Sequence, residues 1–145
     1  MPVLIRREAP GSPALPNRKV KTLAERMMKH LQISGTELSI LLTDDEMIHR
    51  LNFEHRGKDK PTDVLSFPLM DPDDEQLGTL EDSALGDVVI SLDTAQRQAS
   101  NRGADLESEV ARLLAHGLLH LLGYDHQTDT EEAEMKAMED KLLGC

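Results

Sequence analysis

The chain has 145 residues, 39% hydrophobic and 30% charged, and a formal charge of −11. A length of this order builds one compact core rather than two, and the balance of apolar to charged residues excludes a fibrous or disordered chain. The acidity excludes a protein that wraps nucleic acid through non-specific phosphate neutralisation, so any nucleic-acid contact has to be local.

In chain order, Val3 to Arg7 is short and β-branched and reads as a strand, and Pro10, Gly11, Pro13 and Pro16 mark the loop after it. From Asn17, the residues Val20, Leu23, Ala24, Met27, Met28 and Leu31 recur at helical spacing and predict an amphipathic helix closed by Ser34 and Gly35. Leu38 to Leu42 is a compact apolar run suited to a buried strand. Thr43 and Glu46 have capping-box spacing, which predicts a short helix carrying Met47, Ile48 and Leu51. Thr62 to Leu69 reads as a strand. Pro61 and Pro68 cannot donate to a ladder and favour a sheet edge.

Asp71 to Ala84 is acidic and without apolar periodicity, and is expected to be disordered. Leu85 to Leu92 holds Val88, Val89 and Ile90 and is the clearest strand in the sequence, though the order within the sheet is not readable. Helices follow over Asp93 to Ser100, Leu106 to Leu122 and Asp129 to Leu143. The class expected is α+β: a small mixed sheet of about four strands covered by about five helices, in one domain spanning 1–145. Aromatic side chains are scarce, with two Phe, one Tyr and no Trp, so the core is expected to be aliphatic with Met as filler.

Cys145 is the only cysteine, which rules out an intramolecular disulfide and a cysteine-built metal site and fits a reducing compartment. No apolar run approaches the roughly 20 residues of a membrane span, and Met1 to Glu8 is too short and too charged for a signal-peptide core. A cytoplasmic protein without a membrane partner is expected.

The chemistry concentrates in the helix over Leu106 to Leu122. Asp105 is its expected N-cap, with Glu107 and Glu109 in the positive first turn. Leu106, Val110, Leu113, Leu114, Gly117, Leu118 and Leu121 form its apolar stripe. His116 and His120, four residues apart, share one face on the flank of that stripe. Gly123 supplies a left-handed C′ position that turns the chain and carries His126 back toward them. Three imidazoles with an open fourth position form the arrangement of a catalytic zinc-type ion at the end of a core helix, one ion per chain. His30, His49 and His55 have no comparable spacing and read as surface or packing residues.

The stretch His116 to His126 resembles the zinc motif of metzincin peptidases at every His and Gly position, but Gly117 stands where that family carries its catalytic Glu. A second cluster, Arg56-Gly57-Lys58-Asp59-Lys60-Pro61, gathers three cations ahead of the expected edge strand; Arg56 could grip a phosphate with its planar fork. Read alone, such a loop is a solvated surface.

Together, Arg56 to Pro68, Leu85 to Ser91 and His116 to His126 resemble the YbeY family of bacterial metal-dependent endoribonucleases. The resemblance implies zinc on His116, His120 and His126. It implies Arg56 and His116 as catalytic residues, with Arg56, Lys58 and Lys60 binding single-stranded RNA. It also implies a role in 16S rRNA 3′-end maturation and ribosome quality control, with the small ribosomal subunit and its factors as partners. Asp87 suits a cleft carboxylate or a turn residue capping its own backbone, and the turn is the simpler expectation. For the nucleophile, a water activated by the ion and the substrate's own 2′-hydroxyl both remain open. Two rival expectations stand beside this one: a metallopeptidase, and a non-catalytic ribosome-assembly factor whose metal is structural.

Overall fold

The computed structural model describes residues 3–8, 15–68, 84–124 and 128–144. In chain order these form β1 (Val3–Glu8), α1 (Asn17–His30), β2 (Glu37–Thr43), α2 (Asp45–Arg56), β3 (Val64–Pro68), β4 (Ala84–Ser91), α3 (Leu92–Arg102), α4 (Leu106–Leu121) and α5 (Asp129–Gly144). The α+β class holds, with one four-stranded mixed sheet and, among the described residues, five helices. The expected acidic loop lies outside the described residues except for Ala84, which opens β4.

The strand order is β1-β2-β4-β3. β1, β2 and β4 run parallel, while β3 pairs antiparallel to β4 with Val64 opposite Ile90 and Phe67 opposite Asp87. β3 therefore occupies the edge that its flanking prolines favour.

Alternation along the strands gives the sheet two apolar faces. Leu38, Ile40 and Leu42 of β2 and Val88 and Ile90 of β4 face the main core with α1, α3 and α4, and Met135 and Leu142 of α5 join them. The opposite face is smaller. Ile48 of α2 covers Leu65 and Val89 there, with Leu41, Leu51 and Phe67 partly buried at its margin. Met27 and Met28 are fully enclosed, filling volume that rings would occupy in a core richer in aromatics.

One expected cap differs in detail. α2 is capped by Asp44, whose carboxylate accepts from Met47 N at 2.9 Å. Thr43, the residue expected there, ends β2 and donates its hydroxyl to Glu8 O across the sheet. Glu109 lies in the first turn of α4 as expected, and it is buried and paired with Arg112 and, at 3.9 Å, with Arg102. Asp105 caps α4 as its sequence position requires, accepting from Ser108 N at 2.8 Å.

The first turns of α2 and α3 are stitched to each other. The Asp45 carboxylate accepts from the hydroxyls of Ser91 and Thr94, each at 2.6 Å, and from Arg97 at 2.8 Å, while Asp93 accepts from Asp45 N. Burial pushes the Asp45 pKa up, but the three hydrogen bonds and the nearby Arg97 charge outweigh it, so this carboxyl titrates below its ordinary value.

Candidate active site

α4 lies across β3 and β4, packed closely on the side chains of Val64 and Val88. A Cβ on Gly117 would stand 2.9 Å from Val88 Cγ1, and one on Gly86 would stand 2.9 Å from Leu121 Cδ2. Each glycine thus lets a side chain of the opposing element, Val88 of the sheet or Leu121 of the helix, reach its backbone. His116 and His120 sit beside this seam, half-buried. Their rings meet edge-on with centroids 4.6 Å apart, and their Nε2 atoms are 3.0 Å from each other.

On its other side, His116 Nδ1 is 2.6 Å from Glu139 Oε1 of α5. Arg112, one turn before His116, is hydrogen-bonded to Glu109. Its pKa is raised by that bond, against the effect of burial, and by the charges of Glu109, Asp63 and Glu139. The helix then ends as Gly123 dictates: Gly123 has φ +96°, its N–H donates to His120 O, and Tyr124 N–H donates to Leu119 O.

Of the three expected metal ligands, the structure brings His116 and His120 together, and His126 lies outside the described residues. Among the described residues no group of three potential ligands is gathered. The donor chemistry of the pair still fits a zinc-type ion. Two nitrogens on a tetrahedral ion with bonds of about 2.0–2.1 Å lie roughly 3.3 Å apart, close to the observed separation.

The basic cluster is built separately. Arg56 is the last residue of α2, and Gly57, with φ +70°, turns the chain out of the helix. Arg56, Lys58 and Lys60 are all exposed, and among the described residues none of these three side chains has an ion pair. Asn52, buried beneath the loop, anchors it: its Nδ2 donates to Lys60 O at 2.8 Å and its backbone carbonyl accepts from Lys58 N at 3.3 Å. His49 adds a 2.7 Å contact to Asp59. Asp63 fastens the loop's far end by accepting from Val64 N and from Gln98 Nε2.

Beside this loop, on the α2 side of the sheet, a cleft of about 400 Å³ is lined by Arg6, Ser39, Leu51, His55, Phe67 and Asp87, among others. Asp87 is therefore a cleft carboxylate within β4, level with Ser39 and Phe67 on the neighbouring strands, and the turn expected of it is not formed. Glycine before it and a hydrophobic run after it imitate a turn entering a strand, and only the pairing shows that the strand had already begun.

Sequence reasoning missed Asn52, Asp63 and Glu139, as well as Phe53, which is 56% exposed on α2 between Arg50 and Arg56. The Arg50-Phe53-Arg56 spacing is that of one helical face and was legible in principle. The partners of Asn52, Asp63 and Glu139 depend on the fold and were not.

The model of the family described as Endoribonuclease YbeY matches residues 11–144. A protein described as Endoribonuclease YbeY from Myxococcus xanthus (strain DK1622) is 54% identical over 127 residues, covering 88% of this chain and 42% of its own length. One of the same description from Persephonella marina is 45% identical over 142 residues, covering 97% of this chain and 90% of its own. Among solved structures, the solution structure of TM1509 from Thermotoga maritima superposes with a TM-score of 0.64 at 27% identity, over 97% of this chain and 87% of that one. No helix among the described residues is long and apolar enough to cross a membrane. With a family match across nearly its whole length and relatives of this identity, the chain belongs to the endoribonuclease YbeY family.

Proposed function

We propose that this chain is a metal-dependent endoribonuclease that cuts single-stranded RNA, with one zinc ion held by His116, His120 and His126. In the cytoplasm it would act on ribosomal RNA, in 16S rRNA 3′-end maturation and quality control of the small subunit. The observation that carries the reading is the meeting of the His116 and His120 Nε2 atoms 3.0 Å apart, at the end of a helix seated against the sheet.

When bound, such an ion polarises a phosphoryl oxygen and lowers the pKa of a water toward about 7. The chain's own residues do the rest. Arg56 presents a planar cation to the phosphodiester and stabilises charge that accumulates there. Lys58 and Lys60 hold the flanking backbone by charge, and the loop anchors Asn52 and Asp63 keep these cations outside the main core, where RNA can reach them. His116 supplies a nitrogen whose orientation is set from behind by Glu139.

A peptidase reading finds no support at position 117. That residue faces Val88 and Val64 in the interior, so a glutamate there would point into the sheet and away from a substrate.

The test combines metal analysis of the purified protein with cleavage of a single-stranded RNA. Wild type should contain close to one zinc per chain and cut the RNA, whereas His120→Ala and Arg56→Ala should each lose at least 100-fold in rate while keeping the native circular dichroism spectrum. Undiminished cleavage by both variants would overturn the proposal. Chelator-sensitive cleavage of casein in place of RNA would restore the peptidase, and tight zinc without RNA cleavage would favour a structural metal in an assembly factor.

A further inference from the structure

We propose that Glu139 is a positioning residue for the metal: its carboxylate fixes the tautomer and the orientation of the His116 ring, and through them the affinity of the site for a zinc-type ion. The inference rests on the reading of His116 as a ligand.

Met135, Glu139 and Leu142 recur at i, i+4 and i+7, so they share the face of α5 that meets the core. Met135 and Leu142 are buried there, and the Glu139 side chain is only 13% exposed. The other acids of this helix that begin or line its outer side, Asp129, Glu132, Glu134 and Asp140, are exposed. A carboxylate on an inward apolar face costs free energy unless a donor meets it, and the donor that meets Glu139 is His116 Nδ1 at 2.6 Å.

The contact has a definite chemical consequence. An ionised carboxylate only accepts hydrogen bonds, so the proton of the neutral imidazole resides on Nδ1 and the lone pair on Nε2. Nε2 is the atom directed at His120 Nε2. The opposite tautomer, or a ring flipped about its Cβ–Cγ bond, would present an N–H or a carbon where a ligand nitrogen is required. Removing the carboxylate partner of a metal-binding imidazole lowers metal affinity by about 10–100-fold.

Glu139 belongs to a different helix from both histidines, 23 residues beyond His116. Arg112 stands one turn before His116 on the same flank and exerts its charge on Glu139 as well. The carboxylate thus meets the imidazole of α4 within reach of the Arg112 charge, and this contact joins α5 to α4 at His116.

The experiment is competition between the zinc-loaded protein and a chromophoric chelator, run for wild type, Glu139→Ala, Glu139→Gln and Met135→Ala. Glu139→Ala should bind zinc about 10–100-fold more weakly. Glu139→Gln, whose amide oxygen still accepts from Nδ1–H, should lose less. Met135→Ala loosens α5 without touching His116 and should stay within about threefold of wild type. Wild-type affinity in Glu139→Ala, or an equal loss in Met135→Ala, would overturn the assignment. A wild type that takes up no zinc would instead overturn the ligand reading on which it rests. Should Glu139→Ala not fold, the nitrogen chemical shifts of His116 in the metal-free wild type decide: a bare Nε2 supports the proposal, and a protonated Nε2 ends it.

Discussion

Gly117 and Val88 are in such close apposition that the space a methyl group would need at position 117 is already taken by Val88 Cγ1, 2.9 Å from the ideal Cβ position. Gly117→Ala is therefore expected to cost about 1–3 kcal/mol in overpacking, offset by about 1 kcal/mol of improved helix propensity. A net loss of roughly 1 kcal/mol should appear as a lower urea midpoint, and adding Val88→Ala should make the pair less unstable than the sum of the single variants. Gly117→Glu, which would recreate a metzincin-like sequence, should fail to fold stably and gain no casein cleavage.

Asn52 holds the basic loop from beneath. Asn52→Ala removes the donor to Lys60 O and leaves that carbonyl to seek water, at a cost of about 1–3 kcal/mol. The expected kinetic result is a rise in KM for RNA larger than the fall in kcat, because the loop that carries Lys58 and Lys60 is loosened while the histidine pair is untouched. An unchanged KM in a stably folded variant would remove Asn52 from any part in substrate binding.

Charge and stacking should separate cleanly in RNA binding. Each phosphate contact on a single strand contributes about 0.7 to the slope of log K against log salt, so the triple variant Arg56→Ala, Lys58→Ala, Lys60→Ala should flatten that slope by roughly 2. Phe53, exposed between Arg50 and Arg56, is placed to stack on a base, which is worth about 1–3 kcal/mol. Phe53→Ala should weaken binding by at least fivefold without altering the slope, as measured by fluorescence anisotropy across a salt series.

Asp45 should make stability depend on pH in a known direction. Its folded-state pKa lies below the ordinary value because hydrogen bonds from Ser91, Thr94 and Arg97 outweigh its burial. A depressed carboxylate contributes stability that is complete above its unfolded pKa, about 3.9, and is lost as pH falls through the folded value. Asp45→Asn should thus be about 1–2 kcal/mol less stable than wild type at pH 7, with the gap closing below about pH 4 in denaturant titrations. A gap that widens on acidification would contradict the network.

Much of the fold could be read from spacing alone, because the stripes of α1 and α4 and the apolar runs of β2 and β4 are local patterns. The histidine pair was legible for the same reason: four residues on a helix fix a distance. What escaped was decided by long-range partners. Thr43 and Asp44 are both good caps, and the choice fell to Asp44 because Glu8, on another strand, takes the Thr43 hydroxyl. Glu139 is one acid in an acidic helix until α4 is placed beside it, and Asp87 is a turn residue until Ser39 and Phe67 flank it.

The close seating of α4 has a mechanical consequence. The backbone around His116 and His120 is wedged against β4 and should give up its amide protons only when the whole sheet opens, whereas the segment from Gly57 to Lys60 hangs on Asn52 and an exposed His49–Asp59 pair and can open by itself. The imidazole pair is then set on an anvil and the basic loop on a compliant arm. In the proposed endoribonuclease, adjustment to strands of different course would fall to the arm and leave the two imidazoles in place.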